Sequence, residues 1–388
     1  MRRKICFITG SRAEYGLLRH LILESSSSKV ITTQIIVTGS HLSKRHGMTI
    51  NEIKEDKVKI NAVVDLKLRG DKPKDIANSM SKAMKFFAQE FDKLKPDIVV
   101  VLGDRSEIYA AATSAMILRI PIAHIHGGEV TIGAYDDSLR HAITKLANLH
   151  FVATSEYKKR VIQLGENPKS VFNFGGLGVS AIQKVSLLSK KVLEKKLDFP
   201  FAEKNLLVCY HPETMLTEIE NKENFQELLE SLQDLKKTNI IFTMPNADAG
   251  NQIIITMIKD FVQKKYFAKA YKSLGQLNFF SLLKQVDGII GNSSSGVLEA
   301  PSFSIATINI GNRQTGRTKS DSVIDCKPSK EQISKSIRLI YSKKYLEICK
   351  KAKNPYQKGN SSKKILQKLS NFPLTNLQSK HFYDLPNI

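Results

Sequence analysis

Residues 97–129 read DIVVVLGDRSEIYAAATSAMILRIPIAHIHGGE, and this stretch decides the fold. DIVVVLG (97–103) is an apolar run with no polar alternation. EIYAAATSAMILR (107–119) follows as a helical pattern, and PIAHIH (121–126) is a second apolar run. A strand that is apolar throughout is covered on both faces, and two such strands joined through a helix form a parallel crossover. The same rhythm runs outward in both directions. Strands are expected at ICFIT (5–9), QIIVT (34–38), NLLVCY (205–210), NIIFTM (239–244), DGIIG (287–291) and ATINIG (306–311). Helical patterns occupy 75–94, 223–236, 250–264 and 279–285. After a lysine-rich helical stretch at 181–198 the pattern restarts near 205. The expected fold is α/β: two Rossmann-like domains, 1–178 and 179–364, with parallel sheets facing a central cleft. A C-terminal helix at about 365–388 would pack back on the first domain.

Composition narrows the function classes. The chain has 388 residues, enough for two domains, and a formal charge of +22. The lysines are scattered, as in KKR (158–160), KK (190–191) and KK (363–364), without a zinc-finger, helix-turn-helix or RNA-recognition pattern. That spread fits solvated helix faces together with an anionic ligand, and no nucleic acid is expected. Cys6, Cys209, Cys326 and Cys349 form no C-x-x-C pair, which points to a reducing compartment. MRRKICFITGS carries too short an apolar run for a signal peptide, and no stretch approaches the ~20 apolar residues of a membrane span. A soluble, cytoplasmic protein with no membrane partner is expected.

In open parallel sheets ligands collect beyond the carboxyl ends of the strands, and nearly every polar motif falls there. GSRAEYG (10–16) is a strand-to-helix turn suited to an anion, with Arg12 as a phosphate donor. It is not G-x-G-x-x-G, so no dinucleotide cofactor is expected. LGDRSE (102–107) sets Asp104 beside Arg105, with helix capping as the competing role for the aspartate. In HIHGGE (124–129), His124 and His126 share one strand face by alternation, and Glu129 follows. A metal would need a third ligand that the spacing does not offer, so none is expected. Asp136 and Asp137 stand at or before a helix expected from Ser138. Asp104, Glu129, Asp136 and Asp137 thus crowd two strand-end loops, a setting that raises carboxylate pKa values and suits acid–base work. In the second half, His211 in CYHPE and Asn246 in MPNADAG lie just past strands. GNSSSGVLEA (291–300) offers Ser293 and Ser294 to a diphosphate, and Glu299, one turn inside a helix, to ribose hydroxyls. GNRQTGR (311–317) adds Arg313 and Arg317.

Taken together, GSRAEYG, VTGSHL, LGDRSE, HIHGGEVT, DDSLRHAITKLA, HPET, PNADAG, IGNSSSGVLEAPS and INIGNRQTGR resemble the hydrolysing UDP-N-acetylglucosamine 2-epimerases. The likeness runs in order from about residue 4 to 360. It implies the GT-B fold, elimination of UDP to a glycal, and hydration with inversion at carbon 2, giving N-acetylmannosamine for sialic acid synthesis. No cofactor or metal is implied, and dimers or tetramers are common in the family. By motif, Asp104, Glu129 and Asp136 would supply acid–base groups, and His211 would sit by the diphosphate or leaving oxygen. Arg12, Arg105, Ser293, Ser294 and Arg313 would hold phosphates, and Glu299 the ribose. Many relatives carry a glutamate where this chain has His126, so either His126 or Glu129 takes that acid–base role. The alternatives are the same reaction on UDP-N,N′-diacetylbacillosamine, a non-hydrolysing epimerase, and a GT-B glycosyltransferase.

Overall fold

The computed structural model describes residues 2–43, 47–67, 73–131, 135–213, 216–245, 251–375 and 380–386. The chain divides into two compact units. Unit 1 comprises Met1–Glu129, Tyr135–Ala181 and Lys358–Ile388, and unit 2 comprises Val130–Ala134 and Ile182–Gln357. Each is a parallel α/β sheet, the class that the apolar runs imply.

The sheet of unit 1 has seven strands: β1 (Arg3–Thr9), β2 (Ile31–Thr38), β3 (Ala62–Val64), β4 (Ile98–Leu102), β5 (Ile122–Ile125), β6 (Leu149–Val152) and β7 (Val171–Asn173). Their order is 3-2-1-4-5-6-7, and every neighbouring pair is parallel. β4 explains its own composition. Ile98, Val100 and Leu102 enter one apolar cluster, while Val99 and Val101 enter the cluster on the other face. Each such side chain stabilises the unit by roughly 1.5–3 kcal/mol on burial, so a polar residue anywhere in IVVVL would be costly. Strand order reverses between β1 and β4, and the turns after these strands begin at Gly10 and Gly103. The crevice of the sheet therefore opens at the two motifs GSRAEYG and LGDRSE.

Unit 2 repeats the plan with β8 (Lys204–Cys209), β9 (Thr238–Thr243), β10 (Ala268–Tyr271), β11 (Gly288–Gly291), β12 (Ala306–Ile310) and β13 (Val323–Cys326). The order is 10-9-8-11-12-13, again all parallel. Its reversal lies between β8 and β11, whose ends carry His211 and Asn292.

The last segment of the chain belongs to unit 1. The helix Ser361–Asn371 lies along the helix Arg12–Ser26. Arg3 Nη1 donates to the carbonyls of Leu369 and Phe372 at 2.6 and 2.9 Å. Farther on, Lys380 Nζ donates to the carbonyls of Lys145 and Ala147, each at 2.6 Å, and pairs with buried Glu166 at 2.7 Å. Glu166 also accepts from Lys145 at 2.7 Å and bonds His150 at 2.9 Å. Among the described residues, no helix is long and apolar enough to cross a membrane.

Candidate active site

At the mouth of unit 1, Ser11 caps the helix Arg12–Ser26, accepting from the Glu14 amide. Arg12 opens that helix as an exposed residue, and its charge acts on Glu52. Glu14 folds back, buried, and accepts the Gly10 N–H at 2.6 Å. Across the turn stands Glu107, also buried, whose Oε1 accepts from Arg105 Nε at 2.7 Å. The approach is close: a Cβ at residue 10 would lie 2.6 Å from Glu107 Oε1, so Glu107 would have to give way to any larger residue. The long side chains of Glu14 and Glu107 therefore bracket one backbone turn. Neither is singled out by the sequence, where they stand only as the acids inside GSRAEYG and LGDRSE. Burial of two carboxyls in consecutive strand-end motifs is a tertiary fact that spacing does not encode.

Asp104 does not cap the helix Ser106–Ile117. That position is held by Arg105, and without a side-chain bond. Asp104 instead pairs with Arg140, a buried residue that also reaches Asp137 at 3.5 Å. Arg140 is missed by motif reasoning because in sequence it looks like a surface position on an amphipathic helix. The helix itself runs Tyr135–Leu146, so Asp136 and Asp137 lie inside its first turn and do not precede it. There they favour the positive end of the helix. Burial raises the pKa of Asp136, and the negative charge of Asp104 raises it further against the pull of Arg105. Asp104, Arg105 and Asp136 thus form one electrostatic group.

The two histidines of HIHGGE part company. His124, at the end of β5, is fully buried between Gly103 O (2.8 Å) and Thr144 Oγ1 (3.1 Å), and burial pushes its pKa down to about 3. His126 lies past the strand with φ of 66°, in the left-handed region. That turn breaks the two-residue alternation, so the shared face does not form. His126 Nδ1 meets Glu129 Oε1 at 2.6 Å, both side chains buried. Its Nε2 is buried with no hydrogen-bond partner among the described residues. Imidazole and carboxylate stand here as one hydrogen-bonded pair. No group of three His, Cys, Asp or Glu that could hold a metal ion occurs among the described residues.

In unit 2 the organising residue is Asn292, wholly buried. Its side chain accepts the His211 N–H at 2.7 Å and donates to the His211 carbonyl at 2.8 Å, locking the turn after β8 to the turn after β11. The Asn292 carbonyl accepts from Gln314 Nε2 at 2.8 Å and Arg313 Nη1 at 3.2 Å, so GNRQTGR joins the same knot. Gly291, with φ of 137°, is obligatory, because a Cβ there would fall on the Cys209 carbonyl. Burial and the nearby Arg313 charge push His211 down to about 3, leaving it neutral. Ser293 caps the short helix Ser294–Leu298. Glu299 is the C-cap of that helix rather than a residue one turn inside it, because the helix ends after five residues. Ser293, Ser294, Glu299 and Arg313 are all partly exposed. Asn246 lies outside the described residues.

Two parallel α/β units, one with paired acids and arginines at its switch point and the other with an imidazole, serines and an arginine, make an α/β enzyme equipped for acid–base chemistry on an anionic ligand. The chain belongs to the UDP-N-acetylglucosamine 2-epimerase family, whose profile matches residues 24–370. It is 40% identical over 391 residues to the polysialic acid biosynthesis protein P7 of Escherichia coli, covering 99% of this chain and 98% of that one. It is also 40% identical over 386 residues to the hydrolysing GDP/UDP-N,N′-diacetylbacillosamine 2-epimerase of Campylobacter jejuni, covering 99% and 100%. The crystal structure of UDP-GlcNAc 2-epimerase from Neisseria meningitidis bound to UDP-GlcNAc superimposes with a TM-score of 0.79 at 20% identity, covering 94% of this chain and 99% of that one.

Proposed function

We propose that this enzyme converts a UDP-2-acetamido sugar and water into UDP and the free sugar with carbon 2 inverted, the first substrate being UDP-N-acetylglucosamine and the product N-acetylmannosamine. A base removes the proton on carbon 2 while the anomeric carbon–oxygen bond breaks. The electron pair leaves with UDP, and a glycal remains. Water then adds at the anomeric carbon and a proton returns to carbon 2 on the opposite face. Two proton-transferring groups are therefore needed at the sugar. The observation that carries this reading is the coupled pair of Asp104 and Asp136: the raised pKa of Asp136 suits a proton donor and the arginine-paired Asp104 a base. His126 with Glu129 provides the remaining acid–base pair. His211, neutral and held by Asn292, is suited to the departing diphosphate oxygen. Arg12, Arg105, Arg313, Ser293 and Ser294 would neutralise the phosphates, and Glu299 would take ribose hydroxyls. The four cysteines are unpaired thiols, which fits a cytoplasmic reaction.

A second substrate, the 4-acetamido-6-deoxy sugar of UDP-N,N′-diacetylbacillosamine, is favoured by the name of the Campylobacter relative. Self-association also has a feature behind it. Met84, Phe86, Met116, Ile117 and Leu118 are exposed on adjoining helices, and the Met84 carbonyl accepts from Ser114 Oγ at 3.0 Å. The decisive test incubates each UDP-sugar in deuterated water and reads the product by NMR. Free sugar of inverted configuration carrying deuterium at carbon 2 is expected. Deuterium in a sugar still joined to UDP would make this a non-hydrolysing epimerase, and gluco-configured sugar without deuterium would end the reading.

A further inference from the structure

We propose that Glu14 is a positioning residue, bracing the Gly10 turn against Glu107 and so holding the Arg105 guanidinium in its pair. Charges must be matched here in a confined volume. Five carboxyls gather at this end of the sheet: Glu14, Asp104, Glu107, Asp136 and Asp137. Two guanidiniums meet them. Arg140 takes Asp104 and Asp137, and Arg105 takes Glu107 at 2.7 Å. Glu14 is 5% exposed and bonds a backbone amide instead of a cation. Its Oε1 is buried with no hydrogen-bond partner among the described residues. A carboxylate there would be dehydrated and set against Glu107 across the width of a glycine. His41, in the neighbouring turn, supplies no charge, because burial holds it down to about 4 between Thr9 and Thr49.

The group accordingly stays neutral. Burial pushes the Glu14 pKa up to about 8, Glu107 adds to the rise, Arg105 and the Gly10 amide oppose it, and Asp104 adds a little. While it is neutral, Glu14 has the shape to support the turn and does not compete for Arg105. Once ionised it becomes a second anion facing the same guanidinium, and Arg105 is drawn away from its pair with Glu107. This inference draws on the 2-epimerase reading only for its activity assay.

Glu14→Gln keeps the size and the neutral state, and Glu14→Ala removes the brace. The pH profile of kcat/KM for wild type should therefore show an alkaline fall near pH 8. Glu14→Gln should rescue activity to within about threefold of wild type at pH 7 and lose that fall. Glu14→Ala should drop by about tenfold or more, the scale of a lost positioning contact. Isotope-edited infrared spectroscopy reads the same group without any substrate: a protonated-carboxyl band that titrates near pH 8 in wild type and is missing in Glu14→Gln. No such band at pH 7, or an alkaline fall unchanged in Glu14→Gln, would overturn the proposal. So would a loss beyond about a hundredfold in Glu14→Gln, since that is the scale of lost proton transfer. If neither UDP-sugar is turned over, the infrared titration still decides the question, and only the assignment of the reaction fails.

Discussion

Replacing Asn292 with alanine would strike the joint on which the second sheet's site depends. The side chain makes two buried hydrogen bonds to one residue, of 2.7 and 2.8 Å, through the N–H and the carbonyl of His211. Alanine removes both, and each stranded backbone group costs about 1–3 kcal/mol. The loss for unit 2 is then about 2–6 kcal/mol, which at a urea slope of about 2–3 kcal/mol/M lowers its midpoint by ~0.7–3 M. Asn292→Asp is the sharper variant. An ionised aspartate still accepts the His211 N–H but points a negative oxygen at the His211 carbonyl, so its pKa in the fold must lie above the unfolded value of about 3.9. For a group raised in this way, stability falls as pH rises above the unfolded pKa. Asn292→Asp should therefore approach wild type at acid pH, where the protonated side chain again donates, and fall behind it toward neutrality. Urea unfolding across pH, followed by circular dichroism, reads both effects. An alanine variant less than about 0.5 kcal/mol below wild type would show that the two turns are held by other contacts, and the reasoning would fall.

Two further outcomes follow from the same geometry. Asp104→Asn and Asp136→Asn should each lower turnover by about a hundredfold or more with UDP affinity largely kept, whereas Glu299→Ala should weaken UDP binding by about ten- to a hundredfold; single-turnover kinetics beside calorimetry separates them, and normal turnover in an aspartate variant removes it from the chemistry. The second concerns acid stability. Burial pushes Glu166 up, but hydrogen bonds and charge from His150, then Lys145 and Lys380, outweigh it and bring its pKa down to about 2. A depressed carboxylate stabilises the fold above its unfolded pKa and loses that contribution as pH falls through the folded one. The stability gap between wild type and Glu166→Gln should accordingly close between about pH 5 and pH 2, and a constant gap in pH-dependent unfolding would contradict this account.

The two-sheet architecture is legible in the sequence because its central strands are buried on both faces. IVVVL and ICFI admit no polar alternation and advertise themselves. β3, β7, β10 and β13 escape notice for the opposite reason. They are three or four residues long, sit at or next to sheet edges and keep partly exposed positions, so neither length nor hydrophobicity marks them. β6 is hidden by His150, whose polar ring is reconciled with burial by Glu166, sixteen residues onward. At the site, the motifs place acids, imidazoles and glycines at strand ends, and that much follows from local pattern. What they do not reveal is partnership. That Asp104 answers to Arg140, His126 to Glu129, and His211 to Asn292 depends on which strands lie side by side. The HIHGGE reading shows the limit, since one residue of positive φ at His126 undoes an inference that regular alternation would have licensed.

The return of the chain to its starting sheet bears on how the protein is made. Most of unit 2 is an insertion: residues 182–357 interrupt a body that resumes only at 358, so that segment is made after them. Until then Arg3 lacks the carbonyls of Leu369 and Phe372, and buried Glu166 lacks Lys380. The second sheet contains all of its strands before the first sheet has its final helix. During synthesis the inserted unit can therefore mature first, while the N-terminal one waits, half-finished, for its own later segment. A nonsense codon just after residue 357 would spare the later-made sheet and cripple the one translated first.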